Sequence, residues 1–251
     1  MKLCDKAELC YMSYRTGKET EYQFCKRLTH HPLLAGCYVA CLSEDALEGF
    51  VAVNQFTKHA IVVFRGTDEV EDGWSDIRVC PVANKIGKGK VREGVQNCLY
   101  DAWETVLEIL EDSGAVSVEW FGHSLGGMLA ELACEWLKVD LPEVISTSVT
   151  TFGSCSVGSP DFAESVSQAC GEINHIAGIG DPLPFAASTM LLGYKRTGKT
   201  RVFDAYGKEV PSWSLKLWLS GMYYIARYFF TGCPSPHRIQ EYLRRTNLAE
   251  L

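Results

Sequence analysis

The sequence predicts an α/β fold in which a mostly parallel central sheet carries helices on both faces. Strand-like and helical runs alternate along the chain, and this alternation favours parallel strands joined by helical crossovers. The run from Ala60 to Phe64 is continuously apolar and β-branched, as expected for a strand that is covered on both faces. With 251 residues the chain can bury a full core, and we expect a single domain over residues 1–251.

The remaining elements follow from periodicity and turn signals. The opening residues, 1–31, are predicted to be helical. Strands are predicted at 36–42, 49–54, 60–65, 116–121, 145–152 and 173–179, and a hairpin over 200–210 turns at Tyr206 and Gly207. Helices are predicted at 94–110, 125–137 and 160–169, and an amphipathic helix begins near Ile239.

Composition and charge exclude some classes of protein. Hydrophobic residues make up 47% and charged residues 22% of the chain, as in ordinary globular proteins. The formal net charge of -7 disfavours nucleic acid as a partner, because phosphate backbones need a basic surface.

The 11 cysteines form no CxxC pair, so the sequence predicts no metal site and no cofactor. Cys37, Cys41 and Cys134 stand in apolar runs and are interpreted as small buried hydrophobic residues. Residues 1–15 contain several charges and no apolar core, which is not typical of a cleavable signal peptide. We therefore expect a protein that is cytoplasmic as synthesised. Export by a route without a cleaved leader stays open.

The strongest motif is Gly122-His-Ser124-Leu-Gly126-Gly127. It follows a predicted strand and opens a predicted helix, the context that a nucleophile elbow requires. A serine on such a strained turn needs neighbours without side chains, which Gly122 and Gly126 provide. The helix N-terminus directs backbone N–H groups at the reacting oxygen. We predict that Ser124 is a catalytic nucleophile.

A serine nucleophile needs a base, and the base needs an orienting carboxylate, in the chain order Ser, Asp or Glu, His. Asp181 follows an apolar strand and a glycine and precedes Pro182, so we predict that it is the acid. Asp161 and Asp204 are competitors. Asp161 is explained more simply as a helix-start charge, and Asp204 lies inside the predicted hairpin.

Two histidines follow Ser124 in the sequence, His175 and His237. His175 precedes Asp181 and lies within a predicted strand, so its order is wrong for the base. His237 lies in a loop before the last predicted helix, and we predict that it is the general base. His123 is expected to point away from the reacting atoms and to support the site indirectly.

An oxyanion intermediate needs at least two preorganised donors. One is expected to be the backbone N–H of Leu125, the residue after the nucleophile. The other is expected in the Arg65-Gly66-Thr67 turn, which ends the strongest early strand. Thr67 can offer both its N–H and its hydroxyl group.

Together, the motifs resemble the fungal-type (class 3) lipases, in order over roughly residues 50–243. The matching segments are Ile61–Thr67, Gly122–Gly127, Thr151–Ser154 with Val157-Gly158, Gly180–Pro182 and His237. The resemblance implies an α/β-hydrolase fold, hydrolysis of acylglycerol or phospholipid esters, and an oxyanion hole formed by Thr67 and Leu125. A tryptophan-containing segment forms or borders the lid in that family, and Glu69–Ile77 matches it in position. This segment is short and acidic here, so we do not expect a long lid.

The segment Trp213–Phe230 is rich in aromatic residues and leucine. It contains Lys216 and Arg227, which makes it a poor membrane span. It fits a helix packed on the core or on a partner chain, an apolar rim of an acyl pocket, or a patch that contacts a lipid surface.

Several functions are consistent with these residues. The principal expectation is an acylglycerol lipase that acts on lipid esters through an acyl-enzyme. A phospholipase A, an acyltransferase or an effector that degrades membrane lipids would use the same triad. A catalytically silent hydrolase fold that serves as a binding module is the alternative from another class, and retention of all three triad residue types argues against it.

Overall fold

The computed structural model describes residues 1–44, 47–67, 80–181, 183–185, 192–211 and 237–250. The described helices are α1 (Leu3–Met12), α2 (Glu21–Thr29), α3 (Glu93–Ser113), α4 (Leu125–Asp140), α5 (Pro160–Ala169) and α6 (Ile239–Ala249). Short 3-10 turns lie at Pro32–Leu34 and Leu183–Phe185.

The strands in these parts of the chain are β1 (Cys37–Glu44), β2 (Leu47–Asn54), β3 (His59–Phe64), β4 (Pro81–Ala83), β5 (Lys90–Arg92), β6 (Ser117–His123), β7 (Ser146–Phe152), β8 (Glu172–Gly178), β9 (Lys199–Phe203) and β10 (Glu209–Val210). Eight of them form one sheet in the order β1-β2-β3-β6-β7-β8-β9-β10. The five strands from β3 to β9 in that order are parallel, and antiparallel strands flank them. The predicted mostly parallel sheet is confirmed.

Two hydrophobic layers cover the sheet because successive strand residues point to opposite faces. Trp120 belongs to the layer beneath α3 and α4, whereas Phe121 belongs to the layer beneath α1, α2 and α6. The first layer contains Trp103 and Leu129, and both are almost fully buried. Helices therefore lie on both faces, as predicted.

Local sequence explains how the N-terminal helices form. Thr20 caps α2, because its side chain accepts a hydrogen bond from the Gln23 N–H. In return, the Gln23 side chain accepts one from the Thr20 N–H, which completes a capping box. The helix buries Phe24 and Leu28. These two side chains pack the otherwise mostly polar helix α2 against the sheet.

The β4–β5 hairpin was not predicted from the sequence, because strands of three residues carry too little periodicity to detect. Three parts of the sequence discussed above lie outside the described residues: the acidic segment 69–77, Pro182 and the aromatic segment 213–230.

A disulfide joins Cys25 in α2 to Cys41 in β1, with 6.0 Å between their Cα atoms. The interpretation of Cys41 as a small buried hydrophobic residue is therefore wrong. Hydrophobic periodicity reports which face a residue occupies, but it does not report a covalent partner on another element. Cys134 is buried as expected, whereas Cys37 is half-buried.

Membrane-spanning character was searched for in the helices of the described residues. None of them combines the length and apolar composition needed to cross a bilayer.

Candidate active site

Ser124 stands between the end of β6 and the start of α4, on a sharp turn. Its backbone has φ 56° and ψ -121°, a region that residues other than glycine rarely adopt. The Ser124 N–H donates to the carbonyl of Phe152 at 2.9 Å. The residue is only 3% exposed, so the strained turn is held by the surrounding structure.

Glycines make this turn possible. A Cβ atom on Gly122 would lie 2.1 Å from the backbone carbonyl of Gly126. A Cβ atom on Gly126 would lie 2.1 Å from the carbonyl oxygen of Phe64. The start of α4 therefore packs backbone against backbone on the end of β3.

The turn that contains Thr67 follows β3 directly and touches the serine elbow. A Cβ atom on Gly66 would lie 2.6 Å from the carbonyl oxygen of His123 and 3.1 Å from the Cβ of Ser124. Leu125 is the first residue of α4, so its backbone N–H lies outside the hydrogen-bond ladder of the helix. The two predicted oxyanion donors thus lie on adjoining segments at one edge of the sheet.

Asp181 and His237 form a buried pair. The Nδ1 of His237 lies 2.7 Å from Oδ2 of Asp181, and each residue is 1% exposed. The Tyr242 hydroxyl donates to the same Oδ2 at 2.5 Å, and the Leu183 N–H donates to Oδ1 at 2.9 Å. Burial alone would raise the pKa of Asp181, but the charge of His237 and these hydrogen bonds outweigh it and hold the pKa below its ordinary value.

His123, the last residue of β6, connects the elbow to this pair. Its Nε2 lies 2.6 Å from the backbone carbonyl oxygen of His237, and its Nδ1 lies 2.7 Å from the Tyr14 hydroxyl. The His123 and His237 rings are 4.7 Å apart between centroids. Burial, together with the nearby charge of His237, lowers the pKa of His123 to about 3, so this imidazole is neutral near pH 7.

The competing residues lie elsewhere. Asp161 is exposed in the first turn of α5. Asp204 organises the β9–β10 turn, because its Oδ1 accepts from the N–H groups of Tyr206 and Lys208. His175 is buried in β8 and bonds the hydroxyl groups of Thr151 and Thr197.

Two tyrosines at this site were missed by sequence reasoning. Tyr242 occupies a core-facing position of the amphipathic helix α6, five residues after His237, and that position could have suggested a partner for the acid. Tyr14 follows α1 in a segment without a motif. Its approach to His123 depends on how the N-terminal helix packs.

Comparison with protein families gives one match over half of the chain. The family model described as Lipase (class 3) matches residues 61–190. Among curated proteins, the secreted mono- and diacylglycerol lipase 1 of Fusarium solani is 25% identical over 163 residues. This match covers 62% of the chain and 47% of the relative, so the chain spans about half the length of that protein.

Solved structures share the fold at low sequence identity. A triacylglycerol lipase from Penicillium expansum matches with a TM-score of 0.65 and 19% identity, covering 81% of this chain and 79% of that one. A Rhizomucor miehei lipase, in complex with its propeptide, matches with a TM-score of 0.61 and 22% identity, covering 72% of this chain and 61% of that one. The chain therefore has the α/β-hydrolase fold that the resemblance implied.

The expectation of a cytoplasmic protein is wrong. The curated relative is a secreted lipase, which points to an extracellular location, and a disulfide such as Cys25–Cys41 is typical of oxidising compartments. The prediction took unpaired cysteines as a sign of a reducing compartment. That inference fails because burial also protects a thiol from oxidation. Cys10, Cys98 and Cys155 are buried, and burial raises the pKa of each.

Proposed function

The chain belongs to the class 3 lipase family, and from this premise we propose that it is a carboxylic ester hydrolase that cleaves acyl esters of lipids. We further propose Ser124 as its nucleophile, His237 as its general base and Asp181 as the acid that orients the base. The observation that carries the proposal is the buried Asp181–His237 pair, whose His237 ring lies 4.7 Å from the ring of His123, the residue before a serine on a strained strand-to-helix turn.

In the proposed mechanism, Ser124 Oγ attacks the ester carbonyl while the Nε2 of His237 takes its proton. Asp181 holds the Nδ1–H of His237 and stabilises the imidazolium that forms. The N–H of Leu125, with the N–H and hydroxyl of Thr67, would stabilise the oxyanion. His237 then donates the proton to the leaving alcohol, and water, activated by the same imidazole, releases the acid from Ser124.

Acylglycerols are the proposed substrates. The relatives named above are a mono- and diacylglycerol lipase and a triacylglycerol lipase, and their substrates support this choice within one family. We also propose that the described sheet forms the centre of one hydrolase domain, since its eight strands are continuous from β1 to β10. Contact of Trp213–Phe230 with a lipid surface stays a prediction from the sequence.

The test is hydrolysis of p-nitrophenyl esters of increasing acyl length by the wild type and by Ser124→Ala. We expect a loss on the order of 10³-fold or more in kcat, because the triad acts as a unit. Ser167→Ala, which changes an exposed serine of α5, is the matched control. Equal turnover by the wild type and Ser124→Ala would contradict the assignment.

Two further measurements separate the alternatives. Release of fatty acid from phospholipids in preference to acylglycerols would favour a phospholipase. Failure of a fluorophosphonate probe to label Ser124 in the folded wild type would favour the catalytically silent binding module.

A further inference from the structure

We propose that Tyr14 and His123 are positioning residues that fix the backbone of the general base through one directional chain of hydrogen bonds. This hydrogen-bond chain runs from the Tyr14 hydroxyl through the His123 imidazole to the carbonyl oxygen of His237. This inference rests on the proposed function, because it assigns His237 the role of base.

The direction of these hydrogen bonds follows from their last acceptor, the His237 carbonyl oxygen. A carbonyl oxygen can only accept, so the Nε2 of His123, 2.6 Å from the His237 oxygen, must carry the proton. A neutral imidazole protonated at Nε2 has a lone pair at Nδ1, and the Tyr14 hydroxyl donates to it at 2.7 Å. Both donors therefore point from Tyr14 towards the base, and aligned bonds of this kind strengthen one another.

Burial keeps this tautomer in place. His123 is 3% exposed, and its lowered pKa leaves it uncharged. A protonated His123 would carry a second N–H at Nδ1, which would donate to the Tyr14 oxygen and so reverse the direction of that hydrogen bond. It would also place a positive charge 4.7 Å from the His237 ring and compete for Asp181.

Tyr14 is itself held on three sides. The guanidinium group of Arg65 stacks over its ring at 5.3 Å, and the Arg27 side chain donates to its backbone oxygen at 3.1 Å. A Cβ atom on Gly66 would lie 2.6 Å from the Tyr14 hydroxyl, which shows how closely the turn approaches it. Tyr14 is therefore a fixed donor.

The consequence is a two-point attachment of the base. Asp181 holds the ring of His237 through Nδ1, and His123 holds the backbone of the same residue through its carbonyl. One anchor fixes the rotation of the ring, and the other fixes the position from which the ring projects. Misplacement of a catalytic group by a fraction of an ångström slows the chemical step more than it weakens substrate binding.

The experiment measures kcat and KM on a water-soluble p-nitrophenyl ester, with kcat normalised to sites titrated by a fluorophosphonate. His123→Leu removes the donor to the carbonyl, and we expect kcat to fall about tenfold or more while KM stays within about twofold. His123→Gln retains an amide N–H near the Nε2 position, and we expect it to recover kcat to within about threefold of the wild type. His59→Gln, at the start of β3, is the control for loss of a histidine.

The two residues are expected to act as one unit. Tyr14→Phe should lower kcat by about threefold to tenfold, and the double variant Tyr14→Phe/His123→Leu should be no slower than His123→Leu alone. The proposal would be overturned if the losses in kcat of the two single variants multiplied in the double variant. It would also be overturned if His123→Leu kept the wild-type kcat per titrated site. Lower thermal stability with an unchanged kcat would assign Tyr14 and His123 a structural role only, which also overturns it.

A second readout needs no turnover. In ¹⁵N-histidine NMR of the Ser124→Ala protein, with His123→Gln used for assignment, we expect His123 to remain the neutral Nε2–H tautomer from about pH 5 to about pH 8. If His123 were the Nδ1–H tautomer, or titrated near the ordinary histidine pKa, this inference would be wrong. The proposed function would not be affected by that result. Full activity of Ser124→Ala would sink the proposed function, whereas the NMR result would still decide the hydrogen-bond chain.

Discussion

At the residue scale, Tyr242 is the partner of Asp181 that the triad scheme does not name. Its hydroxyl donates to Oδ2 of Asp181 and accepts from the Gly178 N–H at 3.1 Å. Tyr242→Phe would take the acceptor from the buried Gly178 N–H and leave Oδ2 of Asp181 with the His237 bond alone, so we expect a loss of about 1–3 kcal/mol in the free energy of unfolding. Urea denaturation measures it, with Tyr206→Phe, at an 84% exposed tyrosine, as control. Equal midpoints for the wild type and Tyr242→Phe would contradict this.

Glu131 is a fully buried carboxyl group in α4 that the proposed mechanism does not use. Burial raises its pKa from an ordinary value of 4.5 to about 7, although the hydrogen bond from Thr197 and the charge of Arg196 oppose the shift. Between these two pH values the Glu131 carboxyl group is protonated in the folded state and ionised in the unfolded state, so its contribution to stability falls as pH rises through that window.

Glu131→Gln should abolish most of this decline. The expected gain over the wild type at about pH 8 is on the order of 3 kcal/mol, and little difference is expected below about pH 4.5. Urea titrations at a series of pH values measure it. Glu164→Gln changes an exposed glutamate of α5 and serves as the control. If the difference in unfolding free energy between the wild type and Glu131→Gln stayed constant over the window, Glu131 would not be protonated in the folded state.

At the element scale, the Cys25–Cys41 disulfide ties α2 to the edge strand β1 across 16 positions of sequence. A cross-link that closes a loop of this length stabilises a protein by about 3 kcal/mol, chiefly by restricting the unfolded chain. We expect Cys25→Ser/Cys41→Ser to lose about 2–3 kcal/mol in the free energy of unfolding and to keep its ester hydrolysis. Cys80→Ser, at an exposed free thiol, should be neutral. An unchanged Tm after chemical reduction of the wild-type protein would show that the Cys25–Cys41 disulfide does not stabilise the fold.

Elements with a clear local signal could be predicted from the sequence. The elbow could be recognised because its serine and glycines stand together in the sequence, and Gly122 relieves a contact with Gly126 inside the motif. The contact of Gly126 with Phe64 in β3 became visible only in the structure. The parallel strands were recognised because continuous burial leaves continuous apolar runs. The β4–β5 hairpin and the disulfide left no such trace, since their partners are set by how α2, α3 and the sheet edge pack.

At the scale of the whole molecule, the alternation of strands and helices was sufficient to predict the fold. Chain order, together with the place of Asp181 after a strand and of His237 before the last helix, was sufficient to select these two residues as a pair. The contacts of Tyr14 and His123 could not be predicted, because they require α1, β6 and the segment before α6 to meet. Such meetings depend on the complementary shapes of distant surfaces, which composition and periodicity do not record.

The two ends of the described chain lie side by side. The Cys4 N–H donates to Oε1 of Glu250 at 3.1 Å, and Lys2 forms an ion pair with the same carboxylate at 3.7 Å. Neighbouring ends are the condition under which a polypeptide tolerates circular permutation. A short glycine linker could join Glu250 to Met1, with new termini opened at the exposed Phe56 in the β2–β3 turn. The strands would then be synthesised in a different order, but each would keep its place in the sheet.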